Sequence, residues 1–185
     1  MIWTNPPADW SVDGGTLTAR SGNRTDFWQR TFYGFQRDDG HAFLARREGR
    51  FSATLTFDGT YASLYDQAGL MIRVDGGRWI KFGIEWTDGQ AHLSVVVTDG
   101  RSDWSAMPVV RAGPLSVRAT RLADAVLLQY RLDGAAWAMA RLAPFAAEPR
   151  IVGVGPYLCS PERAGFEATF RDFSVGAPEV EELHA

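Results

Sequence analysis

Lys81 is the only lysine among the nineteen basic side chains of this 185-residue chain, and it stands inside an apolar, strand-like run, WIKFGIEW. Four positions further on, the same run carries Glu85. Side chains alternate faces along a strand, so Lys81 and Glu85 share one face while Ile80, Phe82, Ile84 and Trp86 share the other. Their backbones differ by about 13 Å along the strand, too far for a direct backbone-level ion pair. A three-donor ammonium and a carboxylate at that separation can instead orient a ligand lying between them.

The flanking runs 68–74 and 92–98 extend this surface. Ala68, Leu70, Ile72 and Val74 must face the same core as the apolar set of the Lys81 run, because a one-residue slip would expose a whole set. Pairing 74 with 78 satisfies this and leaves Asp75-Gly76-Gly77 as a three-residue loop with glycine at the left-handed position. Pairing 88 with 91 satisfies it for the next hairpin, alongside Leu93, Val95 and Val97, and predicts a type II′ Gly89-Gln90 turn.

In that register the second face sets Gln67 beside Glu85, Glu85 beside Ser94, and Met71 and Thr98 on either side of Lys81. Gly69 meets Gly83, which meets Val96, and Arg73 meets Trp79. Glycine inside a strand often marks a close approach by a ligand or another segment. The expected feature is a shallow trough floored by Gly69 and Gly83, with Lys81 and Glu85 at its ends and Trp79 at its rim. Trp28 and Trp104, in turn-rich segments, can overhang it. A loop aromatic filling the gap is the alternative use of the same glycines.

An aromatic platform with converging hydrogen-bonding groups is what sugar recognition requires. The candidate ligand-binding residues are Asp26, Trp28, Gln67, Trp79, Lys81, Glu85, Ser94 and Trp104. Lys81 would favour an anionic ligand such as a sugar phosphate. Catalysis is not expected. Retaining glycosidases place two carboxylates about 5–5.5 Å apart, yet WIKFGIEW offers Glu85 alone, and a partner would have to come from Asp26 or Asp103. Should the chain be an enzyme, Glu85 is the candidate acid. Ser94, His92 and Glu85 do not read as a triad, since Ser94 and His92 are about 6.6 Å apart along one strand and no nucleophile-elbow glycines surround the serine. His41, His92, His184 and Cys159 have no metal-ligand spacing. The histidines read as polar surface or turn residues and the cysteine as a small buried apolar one. No cofactor or metal is expected.

A net charge of −3, with arginines interleaved among acids, argues against nucleic acid as a partner. No apolar run approaches the roughly 18 residues of a membrane span. The absence of a signal-peptide pattern and the single cysteine point to a cytoplasmic protein. Oligomeric state is not legible.

Stepping along the chain, period-two alternation recurs between Gly/Asp/Asn/Pro clusters, the pattern of an all-β sandwich. Strands are expected at 51–57, 68–74, 79–86, 92–98, 115–120, 125–132, 151–157 and 166–175, with turns at 75–77, 88–90 and 132–134. No stretch of helical period is present. One domain is expected over 1–177, followed by a short acidic tail, 178–185, read as frayed.

Five motifs carry a family resemblance: TDFWQRTFYGFQRDDGHAF (25–43), LYDQAGLMIRVDGGRWIKFGIEW (64–86), HLSVVVT with SDWS (92–105), YRLDGAAWAMARL (130–142) and SPERAGFEATFRDFSV (160–175). Their order and spacing over residues 3–175 resemble a family of unknown function whose fungal members are called regulation-of-enolase proteins. That family looks related to the concanavalin A-like lectin/glucanase superfamily. The resemblance implies a jelly-roll of two antiparallel sheets, one concave, with the Lys81 face on the concave surface where lectins and glucanases of the superfamily bind sugars. Phe32 stands where many relatives are expected to have histidine, so no ring nitrogen is available there. The expected function is a non-catalytic carbohydrate- or metabolite-binding module. A glycan-active hydrolase and a protein-interaction regulator of metabolism, with a protein partner, are the alternatives.

Overall fold

The computed structural model describes residues 1–110, 113–132, 134–180 and 183. The chain opens with β1 (Ile2–Thr4), β2 (Asp9–Asp13), β3 (Thr16–Arg20) and β4 (Phe27–Gln29). It continues through β5 (Gln36–Asp38), β6 (His41–Glu48), β7 (Phe51–Gly59) and β8 (Gln67–Arg73). Next come β9 (Arg78–Thr87), β10 (Gln90–Asp99), β11 (Ser102–Pro108) and β12 (Leu115–Arg121). β13 (Ala125–Leu132), β14 (Ala138–Pro144), β15 (Ile151–Cys159) and β16 (Glu167–Gly176) complete it. Among the described residues no helix is present, and so none is long and apolar enough to cross a membrane.

Two seven-stranded antiparallel sheets form the jelly-roll sandwich, in the orders β1-β6-β15-β8-β9-β10-β11 and β14-β13-β12-β7-β16-β3-β2. The main core lies between them. Leu70, Ile72, Ile80, Phe82, Ile84, Leu93 and Val95 of the first sheet pack against Leu55, Phe57, Val117, Leu128 and Phe170 of the second. These are the alternating apolar sets of the sequence, and burying them supplies most of the driving force for the fold. Every expected strand is present, with ends within two residues of those read from the pattern. The short or exposed strands were not expected: β2 is exposed along its whole length and β11 over six of its seven residues, so neither alternates.

The β8–β9 register is the expected one, with Gln67 opposite Glu85, Gly69 opposite Gly83 and Met71 opposite Lys81. The β9–β10 register differs by two residues. Glu85 faces His92, Gly83 faces Ser94, Lys81 faces Val96 and Trp79 faces Thr98. Parity survives, so the same side chains share each face. The turn is Asp88-Gly89 with both residues at positive φ (52° and 74°), a type I′ turn, rather than the type II′ Gly89-Gln90 turn. Type I′ twist matches the strands it joins, and Asp-Gly is among the strongest signals for it.

At the C-terminus, Glu179 does not fray. Its backbone N–H donates to Ser52 Oγ at 2.8 Å and its carboxylate pairs with Arg118. Residues 181, 182, 184 and 185 of the expected tail, with His184 among them, and Asp133 of the expected 132–134 turn lie outside the described residues.

Candidate functional site

The outer face of β8-β9-β10 is not an open trough. The segment between β3 and β6 crosses it, and the small β4-β5 hairpin it carries lies over the Lys81 end. Phe27 and Trp28 pack there with Met71, Trp79, Val96, Tyr157 and Cys159 as a second apolar core. The hairpin is pinned by polar contacts. Arg73 grips Asp38 bidentately at 2.7 Å, the Gln29 amide donates to the Gly76 carbonyl, and the Gln29 backbone N–H donates to Ser102 Oγ.

Trp79 therefore does not rim a groove. It is fully buried beneath this cover, because its tilted neighbour Phe27 closes the space above it. The glycine floor has a different cause as well. A Cβ at Gly83 would stand 2.1 Å from the Ala68 carbonyl oxygen, and one at Gly69 would stand 2.1 Å from that of Phe82. The glycines allow β8 and β9 to approach one another, which is the other reading of glycine within a strand.

Lys81 is 2 % exposed. Its Nζ donates to Asp26 Oδ1 at 3.2 Å and to the Phe27 carbonyl at 2.9 Å, with the Trp79 ring centroid 5.7 Å away. Burial alone would lower its pKa, but the Asp26 carboxylate, helped by Cys159 and Glu85, outweighs burial and holds the ammonium above its usual range. Cys159 behaves as expected of a buried thiol, with burial pushing its pKa far up.

Glu85 is 4 % exposed and has a different environment. Its Oε2 accepts from Ser94 Oγ at 2.6 Å, and that hydroxyl accepts in turn from the Trp104 indole N–H at 3.1 Å. Among the described residues no basic group lies within ion-pair distance of this carboxylate. Burial pushes the Glu85 carboxyl up, against Lys81 and the Ser94 hydroxyl, which favour the ion, and Asp26 adds repulsion. Ser94 is thus a support for Glu85 and does not line the cavity. His92, opposite Glu85, is buried and its ring contacts the Gln90 carbonyl, so it does not bridge serine and glutamate as a triad requires.

Between these two ends lies a cavity of about 220 Å³. Trp28, Tyr33, Phe35, Tyr65 and Trp104 wall it, with Val96 and Pro161. Its polar groups are Asp26, Gln67, Lys81, Glu85 and Glu162. The structure brings six of the eight candidate residues to this space, leaving Trp79 beneath it and Ser94 behind Glu85. Tyr33, Phe35, Tyr65 and Glu162 were not anticipated. The aromatic run FWQRTFYGF held a signal for the first two, since such density in a turn-rich segment exceeds what a loop needs. Phe32, in the same loop, is 92 % exposed and sits edge-on to Tyr33.

Two further polar clusters, around Asp66 and His41, are buried. Asp66, fully buried, accepts from Ser160 Oγ, the Ala62 and Ser63 N–H groups and Arg163, which fixes the segment carrying Pro161 and Glu162. Burial would raise its pKa, but these donors outweigh burial and hold it below the usual carboxylate range. His41, expected at the surface, is buried: Nδ1 meets the Asn5 carbonyl at 2.6 Å and Nε2 accepts from the Gly22 N–H. Burial lowers its pKa, and the ring is the neutral Nδ1–H tautomer, which alone satisfies both bonds. Asp103, the other acid considered as a partner for Glu85, points away and pairs with Arg141 at 2.7 Å. Among the described residues no cluster of His, Cys, Asp and Glu could hold a metal ion.

The chain is 42 % identical over 183 residues to Regulation of enolase protein 1 of Saccharomyces cerevisiae, covering 98 % of this chain and 92 % of that protein. A crystal structure of a functionally unknown protein from Saccharomyces cerevisiae superposes with a TM-score of 0.93 at 40 % identity, covering 97 % of both chains. A carbohydrate-binding module from Bacillus subtilis shares the fold, with a TM-score of 0.61 over 95 % of both chains at 12 % identity. A family profile described as protein of unknown function (DUF1349) matches residues 3–178, and the chain belongs to that family.

Proposed function

We propose that the chain is a non-catalytic, cytoplasmic binding module that takes one small carbohydrate-type ligand in the cavity between Trp28 and Trp104. The observation that carries this reading is five aromatic side chains around a space whose inner end presents Gln67 and Glu85. Aromatic faces hold the C–H surface of a sugar ring while a few placed polar groups fix its orientation. At about 220 Å³ the cavity is below the roughly 300–1,000 Å³ of drug-sized sites, so it suits one ring rather than a chain. Likeness to a carbohydrate-binding module supports the fold and leaves the ligand to the site itself. The test is calorimetric titration with a panel of monosaccharides against wild type, Trp28→Ala and Trp104→Ala. Binding that both variants weaken at least about tenfold is expected; loss of a stacking aromatic costs about 1–3 kcal/mol in related base-stacking sites. No heat with any sugar at millimolar concentration would sink the reading.

A hydrolase remains the second reading, favoured by one observation. Glu85, a buried acid with its pKa raised, shares the cavity with an exposed second carboxylate, Glu162. Turnover of aryl glycosides abolished by Glu85→Gln would replace the binding-module reading with this one.

A further inference from the structure

The charges around the cavity do not balance, and the imbalance names a class of ligand. Lys81, the feature that first suggested an anionic sugar, is already engaged: Asp26 and the Phe27 carbonyl take two of its three donors under the β4-β5 cover. Its charge and that of Asp26 cancel. Arg163, next to Glu162 in the chain, commits its guanidinium to Asp66 and the Thr60 carbonyl. Glu85 and Glu162 are then the carboxyl groups left over, and among the described residues neither has a basic group at ion-pair distance. Gln67 is a third open group. It is 4 % exposed, lines the cavity, and its Oε1 has no hydrogen-bond partner. A buried amide oxygen left open costs about 1–3 kcal/mol, and a ligand donor met by turning the amide about its broad terminal torsion would satisfy it. The walls reinforce the sign, because the faces of Trp28, Trp104 and the tyrosines attract cations.

We propose that the cavity selects a small ligand bearing a protonated primary amine beside a sugar-like ring, with Glu85 and the Gln67 oxygen accepting its N–H donors and Glu162 guarding the mouth. This rests on the carbohydrate-type reading of the same cavity and assigns it a charge. A quaternary ammonium would satisfy the aromatic walls but has no N–H for Glu85 or Gln67, so it fits less well. A phosphate-bearing sugar would meet two carboxyl groups without a basic partner, and the lining cation, Lys81, is already paired with Asp26.

The experiment is competitive titration of the full chain at pH 6.5 with glucosamine, glucose, glucose 6-phosphate, choline and ethanolamine, repeated on Glu85→Gln and Glu162→Gln. A hydrogen bond to a charged group is worth about 1.5–3 kcal/mol, so glucosamine is expected to bind about tenfold or more tightly than glucose. Glucose 6-phosphate is expected to bind most weakly of the sugars. Glu85→Gln should bring glucosamine and glucose to the same affinity, and Glu162→Gln should erode the preference less. Equal binding of glucose and glucosamine by the wild type overturns the amine assignment while leaving the sugar reading intact. Ethanolamine binding with no sugar binding does the reverse. Tighter binding of choline or glucose 6-phosphate than of glucosamine overturns the assignment, and silence from all five probes overturns both. Melting temperatures measured alongside separate a lost site from a lost fold.

Discussion

Lys81 and Glu85 stand four residues apart on one face of one strand, both almost wholly buried, and their surroundings are opposite in kind. Lys81 has a carboxylate, a carbonyl and an aromatic ring around it. Glu85 has a neutral hydroxyl, and no cation at ion-pair distance among the described residues. The first is a finished structural unit that ties the β4-β5 cover to the sheet. The second is an acid held in an apolar space with acceptor capacity to spare. Equal burial of two opposite charges thus marks two different roles, and partner chemistry rather than exposure tells them apart. A lone charged residue in a strand is a weak sign of a site until its partners are known.

The largest expected effect breaks the Lys81 end. Lys81→Met leaves Asp26 as a buried carboxylate without its cation, and removing one partner of a buried pair costs about 3–5 kcal/mol. Asp26→Asn should cost a similar amount by stranding the ammonium. The double variant should recover much of the loss, since a buried pair replaced by neutral groups is often near neutral. Urea unfolding of the three proteins checks this. Strictly additive losses would mean that the pair is not the unit described.

A second substitution tests whether the two ends form one rigid body. Gly83 lies between Lys81 and Glu85, and its added Cβ would meet the Ala68 carbonyl oxygen at 2.1 Å, a backbone atom with little room to yield. Gly83→Ala should force β8 and β9 apart and cost about 1–3 kcal/mol, the usual range for overpacking. It should also weaken ligand binding, although no side chain of the cavity is altered. Full binding with lowered stability would show that the cavity tolerates movement of the sheet beneath it.

The sandwich and the faces of its first hairpin were legible in the sequence because a period of two puts Leu70, Ile72, Ile80 and Phe82 on one side together. Parity also placed Lys81 and Glu85 correctly on the face away from that core. Parity cannot distinguish registers that differ by two, and there the type I′ turn at Asp88-Gly89 decided the outcome. What covers a face was not legible. The hairpin bearing Phe27 and Trp28 has strands of three residues each, too short to alternate, and it is held by long-range contacts such as Arg73–Asp38. Trp79 was misplaced for that reason, since its parity was right and its cover unseen. Glu162 and Tyr65 lie in irregular segments that carry no period at all, and Asp66 with Arg163 decides where Glu162 goes.

The smallest expected effect sharpens the contrast at the Glu85 end. Glutamine keeps an oxygen for the Ser94 hydroxyl and removes a charge that burial disfavours, so Glu85→Gln should change stability by less than about 1 kcal/mol at neutral pH, in the stabilising direction. The pH dependence carries the sign. The Glu85 carboxyl titrates higher in the folded chain than at its unfolded value of about 4.3, so the folded state holds that proton more tightly. Its favourable contribution is present in full below the unfolded value and is lost as pH rises through the folded one. Glutamine has no such loss, so the stability difference should move in favour of the variant as pH rises above about 4 and level off only above the folded value. His41 and Asp66 titrate in the acid range in both proteins and cancel in the difference. Lys81→Met provides the contrast. The Lys81 ammonium is held above its usual range, so its contribution persists to about pH 10.4 and is lost only as pH rises through the folded value. Loss of the Lys81 ammonium itself therefore adds no slope across pH 4.5, 6.0 and 7.5, whereas Glu85→Gln gains on wild type as pH rises from 4.5. Should Glu85→Gln instead be less stable than wild type by the same amount at all three points, Glu85 would be a paired structural ion like Lys81, since such a carboxylate titrates below its unfolded value, and the cavity would have no open acid at its end.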